Sequence, residues 1–196
     1  MTVRQSILAI LAVGPCYGYQ LRAEFDRRTG STRPLNVGQI YTTLERLERD
    51  GLVRRGETDA EGHLYWEITD DGRTAVTDWF SEPVEGSRGL RDELAVKIAI
   101  ASTLPGVDAS AVVDGQRSSA QARLEVLGAA VFAGAQGGAE ELAWGLLRDG
   151  MVIDTESELR WLDRCAEVLG GSGQDPLPLS SARPRRGRPA KVPVGP

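Results

Sequence analysis

The chain has 196 residues, 41% of them hydrophobic and 26% charged, with a formal net charge of −5. This composition is typical of a globular protein with one large or two small domains, and the charge argues against a polycation that simply coats nucleic acid or membrane. Two distant cysteines and one histidine argue against a disulfide framework or a metal site, so we expect a reducing cytoplasm and no cofactor. The apolar run at 7–13 lacks the cleavage site of a signal peptide, and no run is long enough to span a membrane.

The first 82 residues have the element order of a winged helix-turn-helix domain. Four segments have the apolar spacing of helices: 3–13, 16–28, 37–50 and 69–80. Asn36 and Thr69 stand where N-caps are expected. Two β-like runs, 52–58 and 63–69, surround DAEG and predict a hairpin. The predicted fold class is therefore mainly α. Its N-terminal winged helix-turn-helix domain has three helices before a two-stranded wing, and the segment 69–80 forms a further helix after the wing.

The rest of the chain divides into a linker over 83–90, a helical domain over 91–170 and a tail over 171–196. Three segments of the helical domain predict helices: 91–104, 107–133 and 139–169, with Gly150 as a candidate break. Few other helices exist to cover their apolar stripes, so pairing with a second copy is expected. The tail is rich in proline and lacks aromatic residues, which predicts disorder.

The segment 37–50 carries two distinct faces if it is helical. Its core stripe consists of Val37, Ile40, Leu44 and Leu47. Another arc carries only polar, non-acidic side chains: Gln39, Thr42, Thr43 and Arg46. Gln and Arg can contact base edges or phosphates, whereas acids would repel phosphates. The pattern predicts a DNA-recognition helix, and the alternative is an ordinary solvated face.

The hairpin offers candidate contacts to the DNA backbone or minor groove through Arg54, Arg55 and His63. The alternative is that these are exposed strand residues balancing Glu57 and Glu61. Alternation places Tyr65 and Trp66 on opposite faces, which favours a role in the wing core over a base-stacking platform.

Three blocks resemble PadR-type transcriptional regulators: ILAILAVGPCYGYQL, GQIYTTLERLERDGLV and HLYWEITDDG. The resemblance covers residues 3–72, and ESELRWLDRCAEVL resembles the end of that family's dimerisation domain. It implies a homodimer that binds a palindromic operator in double-stranded DNA, usually repressing transcription. The DNA contacts that it implies, besides the wing, are Tyr17, Gln39, Tyr41, Thr42 and Arg46. Thr42 stands where many members carry proline.

Some relatives bind small aromatic compounds, which makes Trp144 and Trp161 candidate ligand residues, with Phe132 and Trp79 behind them. The alternative is that these tryptophans fill the core or the dimer interface, because large aromatic side chains on long helices usually do so.

The tail contains RPRRGRPAK, in which Arg186-Gly187-Arg188-Pro189 resembles the core of an AT-hook. Arg185, Arg186, Arg188 and Lys191 are its candidate contacts. The glycine would let the backbone lie in a narrow A·T minor groove, whose negative potential attracts arginine. The alternative is a cationic tail that adds sequence-independent affinity.

No nucleophile with a paired histidine, phosphate loop or metal cluster appears in the sequence, so an enzyme is not expected. The alternatives to a repressor are a transcriptional activator and a winged helix that binds proteins.

Overall fold

The computed structural model describes residues 2–30, 35–84, 90–134, 136–171 and 176–181, and it confirms a mainly helical fold with a small antiparallel sheet. The helices described are α1 (Thr2–Leu11), α2 (Gly18–Arg28), α3 (Val37–Arg49), α4 (Asp70–Ser81), α5 (Leu90–Ala101), α6 (Ala109–Ala129) and α7 (Ala139–Gly171). The strands described are β1 (Cys16–Tyr17), β2 (Val53–Thr58) and β3 (Leu64–Ile68). Within these ranges, no helix combines the length and apolar character needed to cross a bilayer.

Helix α1 forms the centre of the winged-helix core. Its residues from Ile7 to Leu11 are almost completely buried, and α2, α3 and α4 pack around them. Helix α3 contributes Ile40, Leu44 and Leu47, each with no exposed surface. Val37, the fourth member of the predicted stripe, is half-buried. The predicted core face of α3 therefore lies against the domain.

The sheet has three strands in the order β1-β3-β2, all antiparallel. The sequence predicted only β2 and β3, and it assigned Cys16 and Tyr17 to the second helix. This assignment was wrong because the two residues pair with Trp66 and Tyr65 of β3 instead. A strand of two residues has no measurable periodicity, so only the tertiary pairing reveals it.

The C-terminal helices pack on the winged helix through α5. Ile100 of α5 belongs to the winged-helix core, whereas Leu94 and Ile98 belong to a second core formed with α6 and α7. Helices α6 and α7 run antiparallel, since Arg117 pairs with Asp163 and Arg123 pairs with Glu158. Helix α7 continues through Gly150, so the suggested break at this glycine was wrong.

A buried lysine fixes the junction between α4 and α5. The Lys97 ammonium donates a hydrogen bond to the Glu82 carbonyl and lies 5.8 Å from the centroid of the Trp79 ring. Burial lowers the pKa of Lys97 below its usual value. Trp79 is thus part of the core, and its neighbour Phe80 is partly buried against it.

Part of the predicted disordered tail is ordered. Residues 176–181, which we call the C-terminal strap, lie against the winged helix, and Leu179 packs against its core. The prediction of disorder from 171 onward was therefore wrong for the strap. Composition could not reveal it, because buried charged groups of α2 hold the strap through its backbone.

Gly72 in α4 allows the helix to approach the turn between α3 and β2 and the end of β3, and we expect any side chain there to disrupt this packing. A Cβ at this position would lie 2.2 Å from the Leu52 carbonyl oxygen and 2.7 Å from Ile68. Gly72→Ala should lower the free energy of unfolding by about 2 kcal/mol or more, measured by urea denaturation.

Gly115→Ala in α6 is the matched control, because nothing lies within 4 Å of its Cβ position. This substitution should leave stability unchanged or raise it by about 0.5–1 kcal/mol, since alanine favours helix. Equal stability of the two variants would contradict the close approach at Gly72.

Candidate nucleic-acid interface

The start of α3 is fixed by a reciprocal pair of hydrogen bonds. The Asn36 side chain accepts from the Gln39 backbone N–H at 2.8 Å, and the Asn36 N–H donates to Gln39 Oε1 at 3.1 Å. Asn36 is therefore the N-cap, as the sequence predicted, and Gln39 completes a capping box. This second role of Gln39 was missed, although the spacing of Asn and Gln by three residues is its signature.

The predicted polar face of α3 points to solvent. Gln39, Thr42 and Arg46 are exposed, and Thr43 is half-buried with its hydroxyl donating to the Gln39 carbonyl at 2.7 Å. These four side chains line a shallow groove of about 500 Å³ together with Val3, Asn36 and Gly38. None of these lining residues is acidic. The groove can therefore accept a polyanion without repulsion from its own walls.

Tyr41 links the recognition helix to α2. Its side chain is 40% exposed, yet its ring covers Gly18, where a Cβ would lie 2.7 Å from Tyr41 Cζ. A side chain at this position would therefore displace the Tyr41 ring from the start of α2. The part of the Tyr41 side chain that does not cover Gly18 is exposed to solvent.

Tyr17 lies beneath the wing and does not project from it. Its side chain is only 4% exposed, and its ring stacks on His63 with centroids 4.5 Å apart and meets Tyr65 edge-on at 5.5 Å. The predicted DNA-binding residues Tyr17 and His63 are therefore brought together, with Tyr17 supporting the imidazole of His63. A direct contact of Tyr17 with DNA stays a prediction.

The turn before β3 is held by Asp59. Its carboxylate accepts from the His63 backbone N–H at 2.9 Å and lies 3.1 Å from His63 Nδ1. These bonds, the backbone one first, hold the pKa of Asp59 below its usual value. With Glu61, the ligand atoms of these residues lie within 4.8 Å of one another. The turn's own hydrogen bonds account for this arrangement without a cation.

The wing arginines are exposed and paired with acids other than those expected. Arg54 binds Glu67 at 2.8 Å, and Arg55 binds Glu48 of α3 at 3.0 Å and lies over the Trp66 ring. Of the acids in the alternative interpretation, Glu61 lies 3.8 Å from His63 Nδ1, whereas the two arginines pair with Glu67 across the strands and Glu48 on the packed helix. Exposed pairs of this kind contribute about 0–1 kcal/mol, so phosphates can replace the carboxylates.

The two candidate ligand tryptophans do not form one site in a protomer. Trp144 and Trp161 lie 17 positions apart on α7, which is about 25 Å along a helix. Trp144 contacts Phe132 and Arg148, whereas Trp161 packs against the second core. The role of either tryptophan as a ligand residue stays a prediction.

A cavity that the sequence did not indicate lies between α4 and α6. Its volume is about 300 Å³, and its apolar walls include Val76, Phe80 and Val107. Gln116 at its edge is buried, and its amide bonds to the Val84 backbone N–H at 2.7 Å and carbonyl at 3.0 Å and to Glu158 at 2.8 Å. The cavity thus adjoins the polar contacts that join α4, α6 and α7.

Arg185, Arg186, Arg188 and Lys191 lie outside the described residues. The AT-hook-like interpretation of the tail therefore stays a prediction.

A helix with an exposed polar face free of acids, followed by a two-stranded wing with exposed arginines, is the architecture of a winged helix-turn-helix DNA-binding protein. Residues 7–78 match the transcriptional regulator PadR-like family, and residues 90–170 match the family described as virulence activator alpha C-term. The first part of the chain is thus similar to PadR-like transcriptional regulators.

Two curated relatives resemble the chain. It is 29% identical over 186 residues to "Probable transcriptional regulator Rv1176c" of Mycobacterium tuberculosis, covering 86% of this chain and 98% of the relative. It is 26% identical over 129 residues to "Negative transcriptional regulator PadR" of Bacillus subtilis, covering 64% of this chain and 70% of that relative. Both relatives are named as transcriptional regulators.

Solved structures of the Bacillus subtilis protein also match. Its crystal structure in complex with operator DNA is 19% identical, covers 86% of this chain and 99% of its own, and has a TM-score of 0.42. Its crystal structure in complex with p-coumaric acid is 20% identical, covers 87% and 99%, and has a TM-score of 0.39.

The capping box gives a prediction for the recognition helix. Asn36→Ala removes the acceptor for the Gln39 N–H and should lower the free energy of unfolding by about 1 kcal/mol, measured by urea denaturation. Asn36→Ser keeps a capping oxygen and should retain most of the stability. An alanine variant as stable as the serine variant would show that the cap contributes nothing.

Proposed function

We propose that the chain is a homodimeric repressor that inserts α3 of each protomer into the major groove of a palindromic operator. The observation that carries the proposal is the exposed, acid-free face formed by Gln39, Thr42 and Arg46. Helices of this kind read base edges, and twofold symmetry of the protein requires a symmetric site.

Each side chain has a role that its geometry supports. Gln39 offers its amide nitrogen to base acceptors while its Oε1 caps the helix. Arg46 can bind guanine or phosphate, and Thr42 and Thr43 offer hydroxyl and methyl groups to bases. Tyr41 contacts the DNA backbone at the edge of the major groove through the exposed part of its side chain. Together these side chains give α3 the means for sequence-specific contact.

The wing supplies the sequence-independent part of the binding energy. Arg54 and Arg55 exchange Glu67 and Glu48 for phosphates, and each exchange releases counterions. His63, supported by Tyr17, lies beside them in the wing. Arg185, Arg186, Arg188 and Lys191 add further phosphate or minor-groove contacts.

Repression is supported by the name of the Bacillus subtilis relative, a negative regulator. A homodimer is supported by the apolar surface of α7. Leu142, Leu146 and Ile153 are all exposed and recur at spacings of four and seven, which places them on one helix face. An exposed apolar face of this kind marks an interaction site, and in a twofold dimer the same face of a second copy would cover it.

A small aromatic effector is the proposed regulator, and the cavity between α4 and α6 is its proposed site. The cavity has apolar walls and a few polar groups at its edge, which suits a flat molecule with one polar end. The two domains would adopt arrangements that differ in the spacing of the recognition helices. An effector that binds one arrangement more tightly would raise its population, and the size of the shift is set by the difference in affinity.

Fluorescence anisotropy tests the proposal with the full chain, a duplex from its own upstream region and a scrambled duplex over a salt series. We expect the upstream duplex to bind about 10³-fold more tightly at physiological salt. Arg46→Gln should weaken specific binding by at least about tenfold, since a good base contact discriminates by about 1–3 kcal/mol.

Arg164→Gln in α7 is the matched control, because it removes the same charge from an exposed position outside the winged helix. It should leave specific binding within about twofold of the parent, since only distant electrostatics change. Equal affinity of the parent for both duplexes would contradict the proposal and favour a winged helix that binds proteins. An upstream site whose occupation raises transcription of a reporter would indicate an activator.

Leu146→Asp tests the dimer. Leu146 is 67% exposed on α7, and a charge there would have to be desolvated in the interface. Light scattering should show a dimer for the parent and a monomer for the variant, with helix content by circular dichroism unchanged. Leu146→Met keeps the apolar surface and should remain dimeric. A dimeric aspartate variant would place the interface elsewhere.

A further inference from the structure

The cavity between α4 and α6 has an apolar lining that suits an aromatic ring. The half-buried ring of Phe80 lines it together with Val76, Val107 and Val112. Its volume of about 300 Å³ lies at the lower end of the range for small-molecule sites. The cavity can therefore hold one ring with a short side chain, and the polar residues of the lining decide what that side chain carries.

The two hydroxyl groups among the described lining residues have already donated their protons. Thr77 Oγ1 donates to the Arg73 carbonyl at 3.2 Å, and Ser81 Oγ donates to the Asp78 carbonyl at 2.9 Å. A hydroxyl has one proton and two lone pairs, so each of these groups can still accept a hydrogen bond. Neither can donate one to a ligand without giving up its bond within α4.

Gln116, which also lines the cavity, is likewise left with acceptor capacity alone. Its amide nitrogen donates to the Val84 carbonyl at 3.0 Å and to Glu158 Oε1 at 2.8 Å, which uses both amide protons. Its Oε1 accepts from the Val84 N–H at 2.7 Å and keeps a second lone pair. Turning the amide over would place its oxygen against the Glu158 carboxylate, so the buried side chain is fixed in this orientation.

The other two polar side chains of the described lining are the carboxylates of Glu82 and Asp108, both in exposed residues. Asp108 Oδ1 accepts from the backbone N–H groups of Ser110 at 2.9 Å and Ala111 at 3.1 Å. The N-terminus of α6 would otherwise attract an anion, but the Asp108 carboxylate already occupies it. A second anion at this place would be repelled.

Among the described residues, Lys97 brings a positive charge close to the lining. Its ammonium donates to the Glu82 carbonyl, but the residue is only 1% exposed and does not itself line the cavity. A ligand carboxylate in the cavity could therefore not bind the ammonium directly. The negative charge of Glu82 also opposes the attraction that Lys97 would exert on an anion.

We propose that the cavity selects small aromatic molecules that carry a hydrogen-bond donor, above all an ammonium group, and that Glu82 and Asp108 reject carboxylates. The proposal rests on the proposed function for the role of the cavity as the effector site, and it adds the chemical class of the effector. A ligand donor finds acceptors on every polar side chain described in the lining, whereas a carboxylate meets only acceptors and negative charge. Repulsion of the wrong ligand thus contributes to the selectivity.

Four compounds with the same phenylethyl group separate the effect of the donor from that of charge. Phenethylamine carries an ammonium, phenethyl alcohol a hydroxyl, its methyl ether a neutral acceptor, and phenylpropionate a carboxylate. NMR titration of the full chain at neutral pH measures each affinity, with the backbone amides of Ala111 and Gly115 as reporters on the cavity. The amine should bind at least about tenfold more tightly than the carboxylate, because the acids at the exposed edge are only partly screened. The alcohol should bind more tightly than its ether.

Glu82→Gln combined with Asp108→Asn tests the source of the selectivity. Asparagine is as good an N-cap as aspartate, so α6 keeps its cap while both charges are lost. The preference for the amine over the carboxylate should fall to about threefold or less. Glu57→Gln combined with Glu125→Gln is the matched control, since it removes two charges from exposed positions outside the lining, and it should keep the parent's preference.

Gly115→Leu tests the location of the site. Gly115 lines the cavity and no atom lies within 4 Å of its Cβ position, so a leucine side chain begins in open space and can occupy the cavity. It should abolish binding of the amine while helix content by circular dichroism is unchanged. Unchanged binding of the amine to this variant would place the site elsewhere and overturn the proposal.

Two further results would overturn the selectivity: no detectable binding of the amine to the parent, or a carboxylate that binds as tightly as the amine. Failure of the proposed function has a different result, because these titrations contain no DNA. The amine would then bind with the expected preference, but saturating amine would leave the affinity for the upstream duplex unchanged, or the parent would bind the upstream and scrambled duplexes equally.

Discussion

Helix α1 is the element on which both halves of the molecule depend, because it is packed on several sides at once. Residues from Ile7 to Leu11 have almost no exposed surface. Helices α2, α3 and α4 cover them within the winged helix, and α5 packs on them from the C-terminal half. Since α5 also contributes Leu94 and Ile98 to the second core, the two cores meet along one helix. A shift of α5 would therefore change the packing of α1 and, through α1, the position of the recognition helix α3.

The buried side chains of Lys97 and Gln116 make the polar contacts described at this junction, which suits it to the effector control proposed above. Lys97 binds the Glu82 carbonyl, and Gln116 binds both backbone groups of Val84 and the Glu158 carboxylate. Each of these groups would be costly to leave without a partner, so the junction favours discrete arrangements over gradual ones. Of these residues, Glu82 and Gln116 line the adjoining cavity, so a ligand there could favour one arrangement through differential binding.

The sequence predicted those features that depend on local chemistry. The buried stripe of α3, the Asn36 cap and the hairpin follow from periodicity and capping preferences within a few residues. Strand β1 and the strap did not follow, because both exist only through partners distant in the chain: Tyr65 and Trp66 for β1, and the buried Glu24 for the strap. The proline-rich strap is ordered because its backbone forms hydrogen bonds with the buried side chains of Glu24 and Arg28.

The net charge of −5 raises the question of how such a protein could bind a polyanion, and the placement of charges offers an answer. No acid lines the groove of α3, while Glu67 of β3 and Glu48 on another face of α3 pair with the exposed wing arginines. Residues 53–68 carry two arginines and four acidic side chains, so the wing has a net charge of −2 and attracts DNA only weakly by its overall charge. Phosphates would have to compete with these carboxylates for the arginines, so a duplex already held by α3 would gain the wing contacts more readily than one that is not.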